Sequence, residues 1–231
     1  MSTSVIEAHG LFKSFGATQA LAGVDLRVHQ GESVAIMGAS GSGKTTLLHV
    51  LAGITRPDAG RVVFRPAGTA PIEVTALREA ERSRLRRESF GFVFQQGLLL
   101  PELTAVENVA LAAMITGVPR AAATARAAER LAALGLQGSE ERRIGELSGG
   151  QAQRVAIARS QITGAGVVFA DEPTGALDSR TSAEVIDALL WSTTGQGRTL
   201  ILVTHDPQVA ARCARTVAVR DGLVVDPAVS A

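Results

Sequence analysis

The chain has 231 residues, a formal net charge of +1 and a single cysteine, Cys213. That length suits one large domain, or a domain with a lobe, able to bury enough apolar surface to fold without disulfides or metal. The near-neutral charge offers no electrostatic case for nucleic acid or a membrane surface, and the lone cysteine excludes a disulfide framework and fits a reducing cytoplasm.

No run approaches the roughly eighteen apolar residues of a spanning helix. The first residues lack a basic region followed by an apolar one, so no signal peptide is expected, and Cys213 reads as a small packed residue. In chain order, residues 5–12 and 21–28 read as strands, with turn signals at Phe15-Gly16 and Gln30-Gly31. Residues 33–37 form a short apolar run entering a glycine-rich turn, a buried strand, and a helix is expected over 45–51. Residues 61–64 complete an antiparallel region.

Residues 75–88 turn helical and charged. Five arginines face two glutamates between Arg78 and Arg87, which reads as a solvated face in preference to a site for an acidic partner. Residues 90–94 return to strand, and an alanine-rich helical stretch over 105–134 breaks at Gly117-Val118-Pro119. Helices over 148–161 and 179–190 then alternate with strands over 167–169 and 200–203. A hairpin of 216–219 and 223–225 turns at Asp221-Gly222. Alternation at both ends of a helix-only segment implies an α/β core carrying an inserted helical lobe.

Gly38-Ala39-Ser40-Gly41-Ser42-Gly43-Lys44-Thr45 follows a strand and opens a helix, which is the setting G-x-x-x-x-G-K-[ST] requires. Glycines let successive backbone N–H groups turn onto phosphate oxygens, and the helix start adds its positive dipole end. Lys44 is placed to neutralise the β- and γ-phosphates and the Thr45 hydroxyl to ligate Mg2+; Thr46 closes the nucleotide-binding stretch. This alone says nucleotide triphosphatase. The apolar run 167–170 ends in Asp171-Glu172, and strand C-termini of a parallel sheet converge on the ligand crevice. Asp171 is the expected direct or outer partner of Mg2+, and Glu172 the residue that polarises the attacking water. Leu147-Ser148-Gly149-Gly150-Gln151 precedes a helix, and Ser148 suits an N-cap. The segment is either an ordinary capped helix or a second phosphate-binding terminus.

With these motifs in this order, the chain resembles ABC transporter ATP-binding proteins over nearly its whole length; the LSGGQ pentapeptide is specific to that superfamily. The resemblance implies an α/β fold: a P-loop NTPase core with an N-terminal antiparallel β region and an inserted α-helical subdomain. Residues 1–231 would form one ATPase domain, with about 1–94 and 164–231 as catalytic core and 95–163 as helical subdomain. It implies ATP and Mg2+ and a head-to-tail homodimer, in which Ser148, Gly149, Gly150 and Gln151 of one copy close over the ATP of the other. Phe15 falls where an aromatic, more often tyrosine, stacks on adenine. Gln95, with Gln96 as a second candidate, falls at the loop that touches Mg2+ and the attacking water and reports to a membrane subunit. Asp178 falls at the loop that bridges two copies, and His205 where a histidine contacts the γ-phosphate. The implied catalytic set is Glu172, His205 and Gln95, and the implied metal set Thr45, Gln95 and Asp171. His9, His29 and His49 match no motif. Ala152 replaces a common polar residue, and Gly164-Ala165-Gly166 a common proline-containing entry.

Gly91 to Gln95, Leu98-Leu99-Leu100-Pro101 and residues 170–179 are similar to the branch of macrolide exporters, lipoprotein-releasing ATPases and bacitracin-type exporters. Leu98 to Leu100 would be core in a lone domain, or an open groove for a partner's coupling helix. A soluble ABC module acting on DNA or ribosomes is disfavoured by the single cassette, the lack of a heptad arm and the lack of basic bias. A P-loop kinase or GTPase is opposed by the pentapeptide and His205. The resemblance therefore implies no nucleic-acid partner, but a membrane permease, driven either for export or for mechanical transmission, that holds the chain at the inner face of the cell membrane.

Overall fold

The computed structural model describes residues 3–225. β1 (Ser4–Phe15), β2 (Thr18–His29), β4 (Ala59–Phe64) and β5 (Ile72–Glu73) form an antiparallel sheet in the order β2-β1-β4-β5. A second sheet contains β3 (Ser33–Met37), β6 (Phe90–Phe94), β7 (Val167–Asp171), β8 (Thr199–Val203), β9 (Arg215–Arg220) and β10 (Leu223–Val225). Its order is β10-β9-β3-β8-β7-β6, parallel from β9 to β6 with β10 antiparallel at the edge. Helices α1 (Lys44–Leu51), α2 (Glu79–Ser89), α3 (Ala105–Ile115), α4 (Arg120–Ala133), α5 (Gly149–Gln161), α6 (Ser179–Ser192) and α7 (Pro207–Ala210) complete the fold. The mixed sheets and helical segment agree with the expected class, and among the described residues no helix is long and apolar enough to cross a membrane.

The parallel sheet is buried on both faces, and the two-residue period of its strands divides two cores. Val34, Ile36, Val167, Phe169, Ile201 and Val203 point to one face, where α1 and the antiparallel sheet cover them. Ala35, Val168, Ala170, Leu200 and Leu202 point to the other, under α3, α5 and α6. Phe169 is 1% exposed and meets Phe90 edge-on with centroids 5.1 Å apart.

Three local readings change. β1 and β2 outrun their apolar stretches, because register shifts let a polar hairpin end keep pairing. α2 begins at Glu79: Val74–Ala76 is a separate 3-10 turn and Leu77 and Arg78 are extended. Its charged face is also only partly solvated. Arg82 is 6% exposed and pairs with Glu79, while Arg86 donates to the Gly53 carbonyl at 2.6 Å. The short elements β5 and α7 had no period long enough to read.

Candidate functional site

Strand order decides what meets. β3, β8, β7 and β6 are consecutive neighbours, with Ile36 opposite Val203, Val203 opposite Asp171 and Asp171 opposite Phe94. Adjacent strands lie about 4.8 Å apart, so the phosphate loop after β3, His205 after β8, Glu172 after β7 and Gln95 after β6 emerge side by side.

In the loop, Gly43 has φ 101° and caps α1, and a Cβ there would collide with the carbonyl of Ala20 on β2. Only glycine allows both the backbone angle and the approach. Lys44 is 7% exposed, donates Nζ to the Ala39 carbonyl at 2.7 Å and forms no ion pair among the described residues. The Ser42 hydroxyl is buried without a partner. A buried ammonium bonded only to a carbonyl and an unsatisfied hydroxyl donor are both groups that an anion in the loop would satisfy.

Thr45 donates its hydroxyl to Asp171 Oδ1 at 3.1 Å, linking loop to acidic strand. Burial raises the Asp171 pKa, against the Thr45 hydrogen bond and the charge of His49, which sequence left unassigned. A carboxylate whose charged form is disfavoured by burial gains from a nearby cation. Among the described residues no three His, Cys, Asp or Glu side chains cluster as metal ligands. A cation here would therefore rest on the single Asp171 carboxylate with hydroxyl, amide and phosphate oxygens, an all-oxygen set that suits Mg2+.

Glu172 takes φ 46°, a left-handed angle uncommon for a non-glycine residue, and its N–H is fixed to the Val203 carbonyl at 3.0 Å. Both of its carboxylate oxygens lie 3.0 Å from His205 Nδ1. The imidazole is 69% exposed and the carboxylate 20%, so the pair opens outward from a fixed base. The Gln95 amide packs on Gly175, where a Cβ would lie 3.0 Å from Nε2. It makes no hydrogen bond to Thr45 or Asp171.

The pentapeptide forms a capping box. Ser148 Oγ accepts from the Gln151 N–H at 3.2 Å, and Gln151 Oε1 accepts from the Ser148 N–H at 2.9 Å. Gly149 and Gly150 let this terminus close on Leu177 and Thr181; a Cβ at Gly150 would overlap Thr181. None of the hydrogen bonds of Ser148 or Gln151 reaches the phosphate loop of the same chain. Asp178 caps α6, accepting from the N–H groups of Arg180 and Thr181 and from the Thr181 hydroxyl, which lowers its pKa.

Phe15 ends β1, 55% exposed, with Lys13 Nζ 5.4 Å from its ring centroid. Leu98 and Leu100 are exposed and Leu99 packs on the helical core. The apolar groove, about 470 Å³, is lined by Phe90, Phe92, Phe94, Ile54 and Ile115 and edged by Arg86, Arg87 and Arg159. Leu98 to Leu100 are not among its lining residues; Arg159 connects the two by donating to the Gly97 and Leu98 carbonyls. Gln153 and Arg159, on the inner side of α5, escaped the sequence reading because nothing in their spacing shows that they bond a distant turn.

The model of the family described as ABC transporter matches residues 21–175. A macrolide export ATP-binding/permease protein, MacB, of Rhodopseudomonas palustris is 48% identical over 229 residues, 97% of this chain and 34% of its own length. A pyoverdine export ATP-binding/permease protein, PvdT, of Pseudomonas putida is 48% identical over 230 residues, with the same coverage. The chain thus spans about a third of the length of the curated relatives it matches. Among solved structures, the dimeric bacterial ABC transporter cassette MJ0796 is 36% identical with a TM-score of 0.85, covering 96% of this chain and 97% of its own. A post-hydrolysis dimer of the same cassette, bound to ADP and phosphate, is 35% identical with a TM-score of 0.84 and the same coverage.

Proposed function

The chain belongs to the ABC transporter family as an ATP-binding, ATP-hydrolysing cassette, and from that premise we propose that two copies close head to tail around two ATP molecules to drive an export permease. The observation that carries the reading is the contact between Thr45 of the phosphate loop and Asp171, beside the Glu172–His205 pair. It brings a phosphate cradle, a cation-seeking acid and a base together at one sheet edge.

In this reading Gly38 to Thr46 wrap the triphosphate, Lys44 turns from the Ala39 carbonyl to phosphate oxygens, the unpartnered Ser42 hydroxyl gains one, and Phe15 stacks on adenine. Thr45 and Asp171, with Gln95, would hold Mg2+, which when bound neutralises charge between β- and γ-phosphate oxygens. Glu172 accepts the proton of the attacking water, and His205 fixes the Glu172 carboxylate while facing the γ-phosphate. Ser148 to Gln151 act on the nucleotide of the second copy: the capping box uses the Gln151 N–H but leaves the Ser148 hydroxyl proton and the Gly149 and Gly150 N–H groups free for an anion. Asp178 holds α6 next to this terminus. Loss of the shared γ-phosphate then lets the copies part. Residues 1–231 act as one ATPase domain, with 95–163 as its helical subdomain.

The relatives named for export join such a cassette to a permease, and the apolar groove beside β6 suits an amphipathic helix of that partner. The partner would hold the chain at the inner face of the membrane. Ser148→Arg tests the arrangement. ATP binding to the single chain should persist while turnover falls by at least about 10²-fold, the usual worth of a lost anion donor set. Equal loss of binding and turnover would place Ser148 in its own chain's site and refute the pairing.

A further inference from the structure

The turn that carries Gln95 is fastened to α5 on both sides. Upstream, Gln153, 4% exposed, donates Nε2 to the Phe94 carbonyl at 3.0 Å. Downstream, Arg159 donates Nη2 to the Gly97 carbonyl and Nη1 to the Leu98 carbonyl, each at 2.6 Å. Gly97 N–H closes the turn on the Phe94 carbonyl at 2.9 Å, and Gly97 and Leu98 both take left-handed angles, 66° and 48°. Leu98 holds such an angle only where its surroundings impose it. Arg159 has no carboxylate partner among the described residues, and burial lowers its pKa. A guanidinium desolvated for two neutral carbonyls fixes geometry at an electrostatic cost, which an exposed staple would avoid.

The other end of α5 is the Ser148 cap. The helix has 13 residues, hence a length of about 20 Å, and it is continuous from the cap past both anchors. We infer that Gln153 and Arg159 are positioning residues that join the Gln95 turn and the Ser148 terminus into one rigid body. Seating Ser148 on the second copy's nucleotide then sets Gln95 over the chain's own. This rests on the ATPase reading above and adds to it the link between the two sites. Rigid packed elements with hydrogen-bonded joints transmit such displacements, whereas a free loop would absorb them.

The test is a double-mutant cycle in the full chain, read as steady-state ATP turnover. Arg159→Met keeps the apolar stem and removes both donors. It should lower kcat by up to about 10²-fold, the cost of a misplaced reacting group, with KM for ATP unchanged. In a Gln95→Ala background the same substitution should change kcat by less than about twofold, and Arg159→Lys, which keeps one donor, should recover part of the loss. Equal losses in both backgrounds, or a raised KM with kcat intact, would overturn the inference and leave Arg159 a staple. If Arg159→Met fails to fold, Gln153→Leu runs the same cycle with the same two outcomes. An active wild type with equal losses refutes the link alone; a wild type without turnover refutes the ATPase reading, and the link with it.

Discussion

Glu172→Gln is the perturbation that most directly separates chemistry from scaffold. The substitution is isosteric, keeps the residue at φ 46° and keeps its N–H on the Val203 carbonyl, so the turn after β7 should hold. The amide can still meet His205 Nδ1, 3.0 Å away, but cannot accept a proton from water. If Glu172 served only to anchor the imidazole, the loss would be that of a pair whose histidine is 69% exposed. Such pairs contribute about 1 kcal/mol or less, under tenfold in rate. Loss of a general base instead costs about 10² to 10⁴, or about 2.7 to 5.4 kcal/mol of barrier. Phosphate release at saturating ATP and Mg2+ distinguishes the two, and the variant should also accumulate an ATP-dependent dimer on size-exclusion chromatography. Turnover within tenfold of wild type would refute the assignment of Glu172 as base; a monomer with ATP would refute the paired site.

Lys44→Ala should weaken ATP binding and abolish turnover, measured by nucleotide titration and phosphate release; wild-type turnover would refute the cradle. The Arg65 guanidinium, then the Ser4 hydroxyl, hold the Glu7 carboxyl down at about 2 against an ordinary 4.5. Its stabilising effect is thus fully present above about pH 5 and fades as pH falls toward 2, the sign expected for a depressed carboxylate. Glu7→Gln should cost about 1 kcal/mol in urea unfolding at pH 7 after screening, and the gap from wild type should narrow below pH 4.5. Burial pushes the Cys213 thiol up to about 11, so a disulfide reagent at pH 7.5 should label it rapidly only after unfolding.

The segments proposed to bear the chemistry were legible in the sequence because each is contiguous: the loop from Gly38 to Thr45, the acids at the end of β7 and the capped start of α5 carry their logic within a few residues. Helices with sustained apolar periods were legible for the same reason, while β5 and α7 are too short to show one. The Arg82 burial within a charged run, the place of the apolar groove beside Phe92 and Phe94, and the contact of Thr45 with Asp171 across 126 positions were settled by packing. Gln153 and Arg159 show the limit most plainly. Their partners are backbone carbonyls 59 to 62 residues away, and a carbonyl has no residue identity for a pattern to register. Local propensity and spacing determined which side chains were available; the order β3-β8-β7-β6, a non-local consequence of parallel pairing and two-faced burial, decided which of them meet.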